Sequence, residues 1–289
     1  MWQFRGFLLL QAAMERLPRS WAYALAIVVA RLAFLFARTA RCRLEENLRA
    51  ALPEATPGEL RRVAWLNFRN HSKAYADLMR LPSARVSDLR PLLKVSGEEH
   101  LDAALKLGKG VLVISAHMGS WEIAAAIWSA TIAPVSLFAE VLEPVEMYEW
   151  YKNTRARLGI SVLPLSLAGL RRVMEALDAG EMVVTAIDRD ILGSGLVLDF
   201  LGRPARIPTG PALLALRRGT PLLPVTVYRL PDDTYQAVGY EPVIATPSAD
   251  HEADVRRVTE ELVRKMEEIV RDHPEQWHMP HRIFEDAKA

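Results

Sequence analysis

GVLVISAHMGSWEIAAAIWSA, residues 110–130, carries the reading of the fold. It opens on VLVIS (111–115), a β-branched apolar run without polar alternation, which is the pattern of a strand buried on both faces. Gly119 then permits a tight turn and Ser120 suits the cap of a following helix. WEIAAAIWSA (121–130) continues as that helix. Working outward, the alternation repeats. LKVSG (93–97), VSLFA (135–139), ISVLPL (160–165), MVVTAI (182–187), LVLDF (196–200), PLLPVTVY (221–228) and TYQAVGYEPVI (234–244) are strand-like. Helical stretches fall between most of them, at 98–107, 144–158, 168–179 and 210–218. Strands alternating with helices make an α/β fold, a sheet flanked by covering helices. A long amphipathic helix begins at Pro57 and runs to residue 80, and a charged one occupies 251–272.

The bulk composition excludes more than it identifies. With 51% hydrophobic and 25% charged residues among 289, the chain folds rather than remaining disordered. A net charge of +1 gives no reason to expect a nucleic-acid partner. The single cysteine, Cys42, excludes a disulfide framework within the chain and a cysteine zinc site. No repeat, low-complexity tract or linker divides the sequence.

The most apolar part lies at the N-terminus, in FLLLQAA (7–13) and WAYALAIVVARLAFLFA (21–37). Arg31 interrupts the second run, which falls short of the ~20 apolar residues that span a bilayer. Arg5, Arg16, Arg19, Arg38, Arg41 and Arg43 flank the two runs, and Trp2, Trp21 and Tyr23 are aromatics of the kind that settle at an interface. A signal peptide does not fit, because the apolar run continues past any cleavage site. Three placements remain: a helical hairpin dipping into one leaflet, a spanning helix, or two buried core helices. The membrane surface is the favoured one.

Three segments hold residues suited to chemistry. In HMGSWE (117–122), His117 follows a buried strand, where loops commonly carry catalytic groups. Glu122, five residues on, meets the ring only if His117 stays in the loop while Glu122 enters the helix. A carboxylate there would fix the imidazole tautomer and raise its basicity. The spacing itself is weak: seven histidines and 35 acids give on the order of one such pair by chance, and His281 with Asp286 is another. A structurally hydrogen-bonded histidine in a capped turn is the plain alternative. In 186–225, Asp188, Arg189 and Asp190 follow a strand, and Asp199 sits amid apolar residues where an acid needs a partner. Thr209 and Gly210 precede Pro211 at a helix start, which with Arg206 nearby suits an anion. Here the plain alternatives are a surface ion pair between Asp188 and Arg189 and ordinary capping by Thr209. In 272–284, His273, His278 and His281 recur, but Pro280 opposes a regular helix and no H-E-x-x-H array exists, so no metal is expected. Cys42 has no evident general base. There is no G-x-S-x-G elbow, phosphate loop or dinucleotide fingerprint.

An apolar basic N-terminus, HMGSWE, then DRD…DFLGRPARIPTGPALLAL (188–216) and PEQW…HRIF (274–284) occur in one order. This arrangement resembles the bacterial acyltransferases that include the late lipid A and phosphatidylinositol mannoside enzymes. The resemblance implies a mixed α/β sheet flanked by helices, like the glycerolipid acyltransferase core. Residues 1–43 would be membrane-associating helices and 44–289 the acyltransferase domain, at the cytoplasmic face of a cell membrane. It implies a long-chain fatty-acyl donor, as acyl-CoA or acyl carrier protein thioester, and a glycolipid hydroxyl as acceptor. His117 would be the base, with Glu122 or Asp199 as its acid partner. Glu122 stands where aspartate is commoner; DRD and PEQWHM are nearer the mannoside branch and HRIF nearer the lipid A branch. Arg155, Arg157, Arg189 and Arg206, with the Thr209 helix start, are candidates for donor phosphates or acceptor headgroup. No cofactor is implied. The rivals are a lysophospholipid or glycerolipid acyltransferase using the same residues, and a lipid-binding protein that kept the fold without catalysis.

Overall fold

A computed structural model describes residues 2–285 of the chain. The expected Trp2 side chain and Asp286 lie outside the described residues. The apolar runs become β1 (Leu93–Ser96), β2 (Val111–Ser115), β3 (Val135–Ala139), β4 (Ile160–Pro164), β5 (Met182–Ala186), β8 (Leu222–Arg229) and β9 (Tyr235–Gly239) of one seven-stranded sheet, in the order β1-β9-β8-β2-β5-β3-β4. Strands β8, β2, β5, β3 and β4 are parallel. β9 runs antiparallel to β8, and β1 is parallel to β9, so the sheet is mixed. β2 sits at its centre, and its alternation explains the unbroken apolar run. Leu112 and Ile114 enter one hydrophobic core, Val111 and Val113 the other, on opposite faces of the sheet.

Helices cover both faces: α6 (Glu98–Lys106), α7 (Trp121–Thr131), α8 (Val145–Ala156), α9 (Leu167–Asp178), α10 (Gly210–Arg218) and α11 (His251–Asp272), with the four-residue α5 (Val86–Leu89) before β1. α4 (Pro57–Arg80) starts at a full capping box, Thr56 with Glu59, and has Pro57 in its first turn. One strand escaped the sequence reading. LVLDF forms β6 (Leu196–Phe200) as expected, but it pairs only with β7 (Arg203–Ile207), as an antiparallel hairpin separate from the main sheet. RPARI has a proline and two arginines, which hide its strand character; a two-stranded ribbon tolerates Pro204 where a central strand would not.

Before them come α1 (Trp2–Arg16), α2 (Arg19–Phe36) and α3 (Arg38–Ala51), and residue 43 lies inside α3. α2 is 18 residues long and is, by length and composition, able to cross a membrane. Its inner side is fastened to the α/β core by a buried polar knot. Tyr23 Oη donates to Asp77 of α4 at 2.8 Å, and Arg229 of β8 reaches Asp77 Oδ2 at 2.6 Å and Tyr23 Oη at 2.8 Å. Tyr235 also donates to Asp77. Burial, and then the Asp77 charge, push the Tyr23 phenol up to about 12. Its outer side is bare: Trp21, Leu35 and Phe36 are 68%, 62% and 80% exposed.

Candidate active site

The sheet register builds the site. β2 and β5 are parallel neighbours, with Ser115 opposite Ala186. His117 and Asp188 each lie two residues past these partners, so both emerge side by side at the carboxyl edge of adjacent strands ~4.8 Å apart. His117 Nδ1 is 2.7 Å from Asp188 Oδ1. Asp188 Oδ2 accepts from the His117 backbone N–H and from the indole N–H of Trp277, each at 2.8 Å. The Asp188 side chain is fully buried while that of His117 is 47% exposed. The acid is thus sealed behind the ring, and the far edge of the ring faces out.

This geometry fixes the chemistry of both groups. Burial alone would raise the Asp188 carboxyl, but the His117 charge and three donors hold it below the usual carboxylate range. An ionised carboxylate only accepts, so Nδ1 of His117 carries the proton and Nε2 keeps its lone pair. The Asp188 charge raises the imidazole above the usual histidine value, against the opposing effect of burial. The result is an exposed, oriented and strengthened base.

The loop that presents it leaves no slack. Gly119 has φ 57°, and a Cβ there would lie 1.7 Å from the Val227 carbonyl oxygen of β8, so only glycine fits. Met118 bridges to Trp277, Gly119 N–H donates to Gln276 at 3.2 Å, and His278 N–H donates to the His117 carbonyl at 2.9 Å. The segment 276–278 thus straps the His117 loop in place while its tryptophan holds Asp188.

Neither acid expected beside His117 is there. Glu122 is in the first turn of α7, but it is buried against α8, where it pairs with Arg155 Nη2 at 3.2 Å. A buried carboxylate needs a counter-charge, and Arg155 supplies one nearer than the loop does. Asp199 lies on the outer face of β6, because strand alternation turns it away from Leu198 and Phe200; its Oδ1 accepts from Gly202 N–H at 2.9 Å and closes the β6–β7 turn. Asp188 itself does not form a surface pair with Arg189.

The expected anion contacts divide in the same way. Arg155 is buried against Trp121 and Tyr151, ring centroids 4.9 and 5.0 Å away, and serves the α7–α8 contact. Arg157 is exposed but precedes β4, which places it at the amino edge of the parallel strands, opposite His117. Arg189 follows Asp188, pairs with Glu140 at 3.3 Å, and its charge opposes protonation of His117. Arg206 on β7 pairs with Glu285 at 2.7 Å. Thr209 is the N-cap of α10, without a side-chain cap bond. Of the expected anion-binding residues, Arg189 is the one that borders the dyad. No cluster of three metal-ligating side chains occurs among the described residues.

The chain matches the bacterial lipid A biosynthesis acyltransferase family over residues 2–286, and it belongs to that family; it is an acyltransferase. Its relatives include the phosphatidylinositol mannoside acyltransferase of Mycobacterium tuberculosis (strain H37Rv), 29% identical over 246 residues, covering 82% of this chain and 75% of the relative. That of Mycolicibacterium smegmatis is 28% identical over 231 residues, 78% and 73% of the two chains. The lipid A biosynthesis palmitoleoyltransferase of Escherichia coli K12 is 24% identical over 244 residues, 83% and 76%. Among solved structures, the 1-acyl-sn-glycerophosphate acyltransferase PlsC of Thermotoga maritima aligns with a TM-score of 0.39 at 17% identity, covering 84% of this chain and 97% of that one.

Proposed function

We propose that this acyltransferase moves a long-chain fatty-acyl group from a CoA or acyl carrier protein thioester onto a hydroxyl of a membrane glycolipid, with His117 as general base and Asp188 as its orienting acid. The observation that carries the reading is the ionised, buried Asp188 holding Nδ1 of an exposed imidazole. Nε2 takes the proton of the acceptor hydroxyl as its oxygen attacks the thioester carbonyl. A tetrahedral oxyanion forms, then collapses with cleavage of the carbon–sulfur bond. The imidazolium returns its proton to the departing thiolate, so the cycle closes without an acyl-enzyme. Arg189 and the first-turn N–H groups of α7, which lack intrahelical partners, border the place where negative charge develops.

A phosphatidylinositol mannoside acceptor is favoured over a lipid A precursor because the mannoside relatives are the more similar, 29% against 24% identity. Purified protein given radiolabelled palmitoyl-CoA and vesicles holding one acceptor at a time tests both parts. Label is expected in the mannoside lipid as an ester. Label recovered only as phosphatidic acid, from vesicles holding lysophosphatidic acid, would overturn the glycolipid assignment.

The same reading places residues 1–43 on the bilayer, with the bare apolar side of α2 inserted and the Tyr23–Asp77–Arg229 knot tying it to the core. Burying a side chain such as Leu or Phe in an apolar phase contributes about 1.5–3 kcal/mol. Replacing Leu32, Leu35 and Phe36 together by serine is therefore expected to abolish flotation with anionic vesicles while the circular dichroism in detergent stays that of the wild type. Unchanged flotation would place the docking surface elsewhere.

A further inference from the structure

His71 of α4 and His278 of the C-terminal segment form a second pair of imidazoles that the transfer chemistry does not use. Their rings stack with centroids 3.3 Å apart and planes 12° from parallel. Tyr75 packs edge-on against His71 at 4.8 Å. The pair is tied to the loop of the base, because the His278 backbone N–H donates to the His117 carbonyl, and both rings are near enough to feel the His117 charge.

Asn67 decides the tautomer of His278. Its amide nitrogen lies 2.7 Å from the Trp277 carbonyl oxygen, which can only accept, so the amide is oriented with Oδ1 on the other side. His278 Nδ1 is 2.6 Å from that Oδ1 and must carry the proton. Nε2 of His278 is left with its lone pair and no protein hydrogen bond among the described residues. His71 likewise makes ring contacts but no protein hydrogen bond among them. Burial keeps both rings neutral: it takes His71 down to about 3, helped by the His117 charge, and takes His278 well below the ordinary histidine value.

We propose that His71 and His278 are a hydroxyl-binding subsite that holds the polyol headgroup of the acceptor beside His117. The proposal rests on the glycolipid reading above. An uncharged imidazole offers a lone pair to a hydroxyl proton, and the N–H of His71 can donate to a hydroxyl oxygen. With no positive charge the pair offers phosphates no ion pair, so the subsite suits a sugar rather than the phosphates of a CoA donor. A second hydroxyl gripped there orients its neighbour toward His117 Nε2, which is how a remote contact lowers the entropy cost of the reacting geometry.

The test is steady-state kinetics of the full-length protein with palmitoyl-CoA and phosphatidylinositol mannoside in mixed micelles. His71→Phe and His278→Phe keep a ring in the stack and remove the nitrogens. Each is expected to raise the acceptor KM about tenfold, the scale of one lost substrate hydrogen bond, with a smaller change in kcat and in the donor KM. Hydrolysis of palmitoyl-CoA without acceptor should fall far less than transfer. Hydrolysis and transfer declining in parallel, or an acceptor KM unmoved in both variants, would overturn the subsite. A wild type that hydrolyses palmitoyl-CoA and acylates no glycolipid would overturn the acceptor reading, and this proposal with it. Wild-type protein labelled with ¹⁵N-histidine supplies a readout free of any folding defect. Methyl α-mannoside should shift the ring nitrogens of His71 and His278, and resonances indifferent to it at saturating concentration would count against the subsite.

Discussion

His117→Ala is expected to lower kcat by about 10²–10⁴, the range for loss of a general base, and to leave donor affinity nearly unchanged. The separation of the two effects follows from the geometry. Among the described residues His117 forms its ion pair with Asp188, which is sealed behind it, so the ring contributes to removing a proton rather than to holding phosphates. Pre-steady-state measurement of donor binding beside single-turnover transfer checks both. Activity within threefold of the wild type would exclude His117 as the base.

Asp188→Asn is expected to cost nearly as much, about 10³-fold or more in kcat, although the side chain never reaches the acceptor. Three donors converge on the carboxylate: the ring N–H, the His117 backbone N–H and the Trp277 indole. An amide has one accepting oxygen and an NH₂ that must face one of them. Turning the NH₂ toward the ring favours the opposite imidazole tautomer and puts the proton on Nε2, where the base must be empty. Because Asp188 raises the imidazole above its usual value, the wild-type rate should climb with pH through a limb above the ordinary histidine range. In the residual activity of Asp188→Asn that limb should move down. Glu122→Gln should behave differently: it leaves the buried Arg155 without a counter-charge, costing on the order of 3 kcal/mol of stability, seen as a lower Tm with kcat of the folded protein largely kept. Asp199→Asn retains a carbonyl for the Gly202 N–H and should be close to wild type in both.

Most strands were legible because their apolar runs answer to two cores at once, as Leu112 and Val113 do. The place of His117 at a strand's end was legible for a related reason, since it follows a run that is buried on both faces of the sheet. The acid partner was not. Asp188 stands 71 residues from His117, and only the β2–β5 register brings them together. A signal did exist: in VLVIS-Ala-His and MVVTA-Ile-Asp, each polar residue falls two positions past a buried strand. Using it requires knowing that β5 inserts between β2 and β3, which local pattern does not reveal. Glu122 was attractive through proximity in sequence, yet burial against Arg155 governs where its carboxylate points. Asp199 misled for the converse reason: an acid amid apolar neighbours is exposed when the strand has period two and covers a core on one side only. In the sequence Trp277 stands out only as part of PEQW, because nothing local tells a core tryptophan from one whose indole donates to a buried acid.

Whether His117 and Asp188 act as one unit is tested most directly by the double variant. Groups that serve a single proton transfer lose their effect together, so removing the second adds little once the first is gone. The account predicts that His117→Ala/Asp188→Asn has a transfer kcat within about threefold of His117→Ala alone. Losses that multiply, so that the double variant falls by the product of the two single effects, would contradict it.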